Sequence, residues 1–435
     1  MATTRTKKKE ESVGQEKLTE APMKVPTREH MDEHIKKALQ DKTGKSTAKL
    51  YLELMIFAHA SRASDIHLEP GDKTAMIRLR VDGILGDTFT IPMTLHARLI
   101  ALLKIRAHMR TDEHRAPQDG RDKFETPTGS VDVRASVMPT IIGEKAVLRL
   151  LSSESHKLTL EQLGFEKTDY DKILRAIHHP WGMILTTGPT GSGKTTTIYA
   201  ILEILNKRAV NISTIEDPVE FYIPGVNQSQ VDRVAKLTFA NGLRSLLRQD
   251  PDIIMVGEIR DEETAQIAVN AALTGHKLLS TLHTNNAATT IPRLIDMGVE
   301  PFLLASTLVV SVSQRLLRRA CDACQIKKSF KREELSESID LQTLDLLFGK
   351  KKLLDLIDVT GCKHCNGTGY LGRIGIYEVL EVTEEIQRLV LQRASSESIH
   401  TLALEQGMTS LVDNAIQKVL SNETTISEFV RVMQD

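Results

Sequence analysis

The 435-residue sequence lacks three features that would place it in a specialised class. Its formal net charge is only −1, whereas dedicated nucleic-acid binders usually concentrate basic surface. No apolar run is long enough to cross a bilayer, and the best candidate, Leu303–Val312, includes three hydroxyl residues and is better interpreted as a buried helix. The charged first nine residues are followed by no apolar stretch, so we expect no secretory signal. These absences together predict a cytoplasmic protein.

Cysteine is also scarce, and its placement is informative. The four cysteines form two C-x-x-C pairs, Cys321 with Cys324 and Cys362 with Cys365. In a reducing compartment this pattern favours metal ligation over disulfides. Four thiolates in two such pairs suit a closed tetrahedral Zn²⁺ site, and a redox dithiol is the alternative.

What is present is a composition that can build large cores. Apolar residues make up 41% and charged residues 26% of the chain, close to the averages of globular proteins. The length predicts two to four compact units. The expected organisation is a disordered tail at 1–28, a mixed α/β domain at 29–152, an ATPase core at 153–320, a tetracysteine zinc-binding module at 321–366 and a helical region at 367–435.

Hydrophobic patterning predicts two kinds of sheet. In the first unit, 76–81 alternates apolar and charged residues before an Asp-Gly turn, which indicates a strand, a turn and a second strand. Further strand-like runs follow at 131–137 and 145–151. In the second unit, helix-length segments separate short apolar runs, which predicts a parallel sheet covered by helices on both faces. Those runs are 183–185, 212–215, 253–256 and 278–282.

A phosphate-binding motif follows the first of these apolar runs. Residues Gly188–Thr195 satisfy G-x-x-x-x-G-K-[ST] and precede a predicted helix, Thr196–Asn206. Glycines allow backbone N–H groups to surround phosphates, Lys194 neutralises the β- and γ-phosphates, and the Thr195 hydroxyl ligates Mg²⁺. An accidental Gly-rich turn is the alternative, and the flanking strand and helix argue against it.

The other predicted strands also end in polar side chains, at the edge where a doubly wound sheet binds its ligand. One strand ends at Glu258 in the manner of a Walker B element, and another ends at His283, with His276 before it. A third is followed by Glu216, Asp217 and Glu220. Such groups hold Mg²⁺ through water, activate the attacking water or sense the γ-phosphate. For any one of them a salt bridge or cap is the more common role, but their convergence favours function.

These motifs resemble those of the secretion ATPase superfamily, which serves type II secretion, type IV pili and competence pseudopili. Residues 247–261 resemble its signature, 214–220 its aspartate box and 275–284 its histidine box, and several first-unit motifs between 64 and 149 agree. The resemblance runs from about residue 46 to the C-terminus. It implies an α/β fold: a RecA-like P-loop NTPase core with a mostly parallel sheet, preceded by a smaller mixed α/β, PAS-like domain, with a zinc-binding insert and a helical C-terminal region.

The resemblance also implies roles for individual residues. Glu220 is our choice for the residue that activates water, with Glu258 a close rival, and Lys194 and His283 complete the core's catalytic set. Arg134 and Arg149 match two first-domain arginines that reach the nucleotide phosphates, and a cross-strand salt bridge is their alternative role. The nucleotide-binding residues expected are Gly188, Pro189, Thr190, Gly191, Ser192, Gly193, Lys194, Thr195, Thr196, Glu216 and Asp217.

The cofactors expected are ATP, Mg²⁺ and one Zn²⁺ ion. The cysteine module resembles that of the extension and secretion ATPases, which the retraction ATPases lack. The resemblance implies a homo-hexamer that acts on an inner-membrane platform protein, associates with the membrane through partners and contacts no nucleic acid directly. We expect only a polar tail ahead of the first motor domain, where assembly-type members carry a membrane-docking domain, so the docking route stays open.

Three other functions compete with an assembly motor. A retraction or conjugative-type motor is disfavoured by the cysteine module and by the C-terminal match at 407–431. A competence motor for DNA uptake stays open, since it belongs to the same superfamily. A nucleotide-binding scaffold without activity is disfavoured by the intact Lys194, Glu220 and Glu258.

Overall fold

A computed structural model describes residues 25–41, 43–126, 129–152, 158–232 and 234–434. Most of the predicted tail, 1–28, therefore lies outside the described residues. The described residues form two compact units: the first takes in those up to 60, 66–78 and 87–150, and the second takes in 61–65, 79–86 and those from 151 onward. Among the described residues, every helix is too short or too polar to span a lipid bilayer.

The helices are α1 (Arg28–Gln40), α2 (Lys45–Ala60), α3 (Met93–Arg106), α4 (Leu160–Leu163), α5 (Lys167–His178), α6 (Lys194–Leu205), α7 (Phe239–Leu246), α8 (Glu262–Leu273), α9 (Thr290–Asp296), α10 (Pro301–Thr307), α11 (Arg332–Leu335), α12 (Leu341–Phe348), α13 (Glu384–Leu391), α14 (Ser396–Glu405), α15 (Leu411–Leu420) and α16 (Ile426–Gln434). The strands are β1 (Ala63–Glu69), β2 (Thr74–Val81), β3 (Ile84–Pro92), β4 (Gln118–Thr126), β5 (Gly129–Pro139), β6 (Glu144–Ser152), β7 (Gly182–Thr187), β8 (Ile212–Glu216), β9 (Asn227–Gln230), β10 (Ile253–Val256), β11 (Lys277–Leu282), β12 (Leu308–Ala320), β13 (Gln325–Lys331), β14 (Leu353–Val359) and β15 (Tyr370–Glu381).

A six-stranded sheet, whose strands lie mostly in the first unit, has the order β3-β2-β1-β6-β5-β4. Alternate residues of β5, from Val131 to Val137, are buried while their neighbours are more exposed, which is the pattern of a sheet covered on one face. The predicted turn between β2 and β3 is confirmed. Its two residues, Asp82 and Gly83, both have positive φ (49° and 89°), as tight hairpin turns require.

The second unit is built on a seven-stranded sheet in the order β15-β12-β7-β11-β10-β8-β9. The pairings from β12 through β9 are parallel, and only β15 runs antiparallel, against β12. Every residue of β7, β8 and β10 is buried. This is the continuous apolar pattern of strands covered on both faces, so the predicted parallel sheet is confirmed.

Each central strand divides its side chains between two cores. On β10, Ile254 and Val256 belong to the core that includes α8 and α10, whereas Ile253 and Met255 belong to the core that includes α5 and α6. A slip of one residue in the pairing of β10 would exchange these faces, so the packing fixes the register of the strand.

The helix expected across Leu303–Val312 was wrong over its second half. Helix α10 ends at Thr307 and β12 begins at Leu308, pairing with β7 on one side and β15 on the other. The run contains Val309, Val310 and Val312, whose branched side chains favour strands. The apolar side chains of residues 308–312 suit a strand buried inside the sheet.

The C-terminal helices are fastened to β12 by a buried ion cluster. Glu428 of α16 is fully buried and accepts hydrogen bonds from the guanidinium groups of Arg318 on β12 (2.7 and 2.9 Å) and of Arg431 (2.9 Å to Nε). Burial alone would raise the pKa of this carboxyl, but the two arginines hold it below its usual range. The cluster therefore contributes stability above the ordinary carboxyl pKa and loses it as acid protonates Glu428.

We expect Glu428→Gln to lower the free energy of unfolding of the second unit by about 3 kcal/mol or more, since it leaves two arginines facing a neutral amide. Denaturant unfolding monitored by circular dichroism measures this loss. The matched control is Glu384→Gln, which breaks an exposed pair with Arg388 and should change little. Equal effects of the two substitutions would contradict a structural role for the cluster.

Candidate functional site

The phosphate-binding motif connects β7 to α6 as predicted. Gly188, Gly191 and Gly193 all have positive φ, between 80° and 143°. A Cβ atom at Gly188 would lie 2.5 Å from the carbonyl oxygen of Gln314, so only glycine fits there. Among the described side chains, none caps the first turn of α6, so the backbone N–H groups at this end of the helix are available to bind an anion.

Lys194 bends back over the loop that precedes it. Its buried ammonium group donates to the carbonyl oxygens of Gly188 (2.8 Å) and Pro189 (3.0 Å). Burial lowers the pKa of Lys194 to about 8, and the negative charge of Glu258 opposes that shift. Two neutral carbonyls are weak partners for a buried ammonium, so phosphate oxygens would be a stronger set. The remaining nucleotide-binding candidates on this helix, Thr195 and Thr196, are half-buried in its first turn.

The Walker B candidate, Glu258, lies just beyond the end of β10 and is mostly buried. Its carboxylate forms an ion pair with Arg260 and lies 3.6 Å from Nε2 of His283, which follows β11. Burial and then the charge of Lys194 lower the pKa of His283, which keeps the imidazole neutral near pH 7. The structure thus brings Lys194, Glu258 and His283 together, with Arg260 as a fourth member that the sequence analysis did not single out.

The acids that follow β8 have different surroundings. Glu216 is 2% exposed, and its carboxylate accepts hydrogen bonds from the hydroxyls of Tyr199 and Thr214 and from the amide of Gln228. Burial raises its pKa. The hydroxyl of Tyr199 also accepts from the backbone N–H of Glu220 (3.4 Å), which ties this segment to α6.

Asp217 is exposed, and its charge acts on Arg260. Asp217 and Glu258 therefore both interact electrostatically with Arg260. The predicted roles of Glu216, Asp217 and Glu220 toward a nucleotide stay predictions.

Other candidates lie elsewhere in the fold. His276 precedes β11 and therefore lies at the opposite end of that strand from His283, with its Nδ1 3.0 Å from the carbonyl oxygen of Ala271. Arg134 on β5 and Arg149 on β6 belong to the first unit and occupy positions that alternate with the buried ones. A contact of either arginine with a nucleotide stays a prediction.

Gln314 is a further site residue, and sequence reasoning missed it. It lies on β12, is 1% exposed and donates from Nε2 to the carbonyl oxygen of Ser192 in the phosphate-binding loop (2.7 Å). Within the described structure, the Oε1 atom of Gln314 and the hydroxyl of Ser192 are buried without a hydrogen-bond partner. Unsatisfied buried polar atoms beside a glycine loop are typical of a site built for a polar ligand. The only sequence signal is a polar residue in the middle of an apolar strand.

A buried glutamate on β15 holds the loop after His283. Glu378 on β15 is 2% exposed and accepts from the backbone N–H of Ala287 (2.8 Å), and its other oxygen lies 3.3 Å from Nε2 of His400. Nearer His283, Thr284 donates its backbone N–H to the hydroxyl of Thr187 at the end of β7 (2.9 Å). The contact between Thr284 and Thr187 holds the segment after His283 against the end of β7, where the phosphate-binding loop begins.

The four cysteines converge as the pairs predict. The Sγ–Sγ distances are 3.9 Å for Cys321–Cys362, 3.8 Å for Cys324–Cys365 and 3.7 Å for Cys362–Cys365, and all four sulfurs lie within 4.8 Å of one another. A tetrahedral ion with bonds of about 2.3 Å requires sulfurs about 3.8 Å apart. The four residues therefore fit a zinc ion.

The backbone favours a thiolate at Cys365, whereas burial raises the pKa of Cys321 and of Cys324. The N–H groups of Cys362 and Gly369 donate to Sγ of Cys365, both at 3.1 Å. Burial works against a charged sulfur here, but these donors lower the pKa of Cys365 to about 6.

We expect Gln314→Met to weaken nucleotide binding by about 1 kcal/mol, or roughly fivefold, because it preserves volume and removes the hydrogen bond to the loop. Fluorescence titration with a labelled nucleotide measures the affinity. The control Gln417→Met changes an exposed residue of α15. A lower melting temperature with unchanged affinity would show that Gln314 only fills the core.

Comparison with known proteins agrees with this fold and site. The family described as "Type II/IV secretion system protein" matches residues 41–431. The "Type IV pilus assembly ATPase PilB" of Myxococcus xanthus is 45% identical over 386 residues, which cover 88% of this chain and 67% of that protein. The "Type II secretion system ATPase E" of Vibrio cholerae is 44% identical over 375 residues, which cover 86% of this chain and 72% of that protein.

Solved structures show the same architecture. The pilus retraction motor PilT with bound ADP has a TM-score of 0.59 at 28% identity and covers 87% of this chain and 96% of its own. The ATPase DotB of Legionella pneumophila has a TM-score of 0.64 at 21% identity and covers 88% of this chain and 94% of its own. The α/β fold class predicted from the sequence is confirmed. The secretion ATPase resemblance is confirmed as well: the chain belongs to the Type II/IV secretion system protein family.

Proposed function

We propose that this protein is an ATPase that hydrolyses Mg²⁺·ATP to power the assembly of pilin or pseudopilin subunits in a type IV pilus-like or type II secretion machine. The observation that carries the proposal is the meeting of Lys194, Glu258 and His283 at the carboxyl ends of adjacent parallel strands. A cation that binds phosphate and an acid that holds Mg²⁺ or orients the attacking water are groups that phosphoryl transfer uses. A neutral imidazole beside them can form a hydrogen bond with the γ-phosphate or the water.

The nucleotide phosphates would bind across residues 188–196, where the loop N–H groups and Lys194 supply positive charge. Bound Mg²⁺ would neutralise charge on the β- and γ-phosphate oxygens, with Thr195 as its protein ligand and Glu258 beside it. Glu220 is the acid that we propose to activate water, and Glu258 is the rival. Glu216 already has partners on both oxygens, so its contribution would be to hold Tyr199 and, through it, the Glu220 segment.

Assembly is favoured over retraction by two observations. The assembly and secretion relatives named above are 44–45% identical to this chain, whereas the retraction motor is 28% identical. The four sulfurs also fit the zinc module that the sequence analysis associates with assembly-type enzymes. A competence pseudopilus is the second candidate, because the same motifs serve it. We further propose a homo-hexamer at the cytoplasmic face of the inner membrane, acting on a polytopic platform protein.

Lys194→Ala tests the proposal. We expect phosphate release to fall to background, by at least about 10²-fold, while the circular dichroism spectrum is unchanged, because the Lys194 ammonium group donates its hydrogen bonds to carbonyls of its own loop. Lys207→Ala, an exposed lysine just after α6, is the control and should retain the wild-type rate. Near-wild-type turnover in Lys194→Ala would remove the proposed site.

We expect one Zn²⁺ ion per chain to be lost when Cys321 and Cys365 are both replaced by alanine. Metal binding by thiolates is coupled to local folding, so removal of zinc should increase amide hydrogen exchange across residues 320–370 before it affects 188–196. Metal analysis and exchange mass spectrometry measure the two effects. An unchanged zinc content in the double variant, or four titratable thiols in the purified wild type, would contradict the site.

Arg134 and Arg149 are proposed to contact the nucleotide phosphates. Arginine supplied to a phosphoryl-transfer site is worth about 10³-fold or more in rate, so each alanine variant should lose turnover far more than nucleotide affinity. Turnover, affinity and melting temperature are measured on each variant. A lower melting temperature with normal turnover per folded molecule would assign these arginines to salt bridges only.

A further inference from the structure

Helix α1 of the first unit presents two histidines on one face. His30 and His34 are four residues apart, and their ring centroids lie 4.3 Å apart. The buried residues of α1 are Met31, His34, Ile35 and Ala38, so the His34 ring lies within the apolar stripe of the helix. An i, i+4 pair of histidines on a helix is the arrangement that zinc-binding helices use.

A carboxylate from the next helix faces both rings. Glu53 of α2 accepts a hydrogen bond from Nδ1 of His34, and its other oxygen lies 4.0 Å from Nε2 of His30. The side chains of His34 and Glu53 are 8% and 14% exposed, whereas His30 is 50% exposed. Burial explains why His34 needs a partner. It does not explain why the half-exposed His30 directs a nitrogen toward the same carboxylate.

We propose that His30, His34 and Glu53 bind a divalent transition-metal ion of the Zn²⁺, Co²⁺ or Ni²⁺ type. One nitrogen from each histidine and one carboxylate oxygen all lie within 4.8 Å of one another. Ligand distances of 2.0–2.2 Å around a tetrahedral ion place donors about 3.4 Å apart, which small side-chain rotations reach from these positions.

The donor set selects the class of metal. Two imidazoles and one carboxylate suit Zn²⁺ and its neighbours, whereas Mg²⁺ and Ca²⁺ prefer oxygen ligands throughout. Three protein ligands leave a fourth position to water. Lys49 approaches Glu53 at 4.0 Å, but its side chain is 67% exposed, so solvent screens this charge. A bound ion would fasten the N-terminal half of α1 to α2.

The simpler role for these residues is a hydrogen-bonded pair in which Glu53 serves a buried histidine. The two roles differ at His30, which has no part in the pair, and in the response to Glu53→Gln. A glutamine oxygen still accepts from the His34 ring, but it is a much poorer metal ligand than a carboxylate. These differences allow a test that does not depend on unfolding.

The experiment uses the full chain, stripped with chelator and titrated with Co²⁺ alone. Thiolate-bound Co²⁺ has sulfur charge-transfer absorption that a histidine–carboxylate site lacks, so the cysteine site and the second site are counted separately. We expect wild type to bind one equivalent at each, and His30→Ala and Glu53→Gln to bind only the thiolate equivalent with an unchanged metal-free melting temperature.

The matched control is His178→Ala, which removes an exposed histidine of α5 and should retain both equivalents. The proposal is overturned if wild type binds Co²⁺ only at the cysteines. It is equally overturned if His30→Ala and Glu53→Gln bind as many equivalents as wild type.

Discussion

Parallel pairing of β7, β11, β10 and β8 is the constraint on which the site depends. Strands that run in one direction bring their carboxyl ends to one edge, so groups as distant in sequence as Lys194, Glu258 and His283 meet without any long-range motif. The strands are buried on both faces, and a slip in register would move apolar side chains to the wrong core. The packing energy of the sheet therefore also fixes the positions of the catalytic candidates.

The loop between β7 and α6 surrounds a buried ammonium group, that of Lys194, which donates to two backbone carbonyls. Burial lowers the pKa of Lys194 to about 8, so the protein holds this cation in a poorly compensated position. A phosphate would supply the missing negative charge, and the binding energy gained would order the loop around the ligand. Two hydrogen bonds hold the ends of that loop in place: Gln314 donates to Ser192, and Thr284 donates to Thr187 at the end of β7.

Local patterns were predictable from the sequence, and distant pairings were not. Four strands of the core follow from four short apolar runs, and the glycine loop and the cysteine pairs are recognised from their residue spacing. Strand β15 was missed because its apolar residues pair with β12 some sixty positions earlier, and nothing near residue 370 indicates that partner. The change from α10 to β12 at Leu308 was missed because both elements are buried and therefore need apolar residues. The period of a short apolar run does not distinguish a buried helix from a buried strand.

Side-chain contacts were harder to predict than elements. The oxygens of Glu216 accept hydrogen bonds from Tyr199, Thr214 and Gln228, a set that sequence spacing does not reveal, and its role toward a nucleotide stays a prediction. Gln314 is recognised only from its contact with Ser192. Helix α1 was missed because charged residues surround its narrow apolar stripe and one buried position is a histidine.

The central claim is that carboxylates at these strand ends act on water beside a bound nucleotide. The most direct measurement compares ATP affinity and phosphate release for Glu220→Gln and Glu258→Gln. Our account predicts that both variants bind ATP within a few-fold of wild type while turnover falls by about 10² or more, with the larger loss in the variant that removes the base. Wild-type turnover in both variants would contradict it.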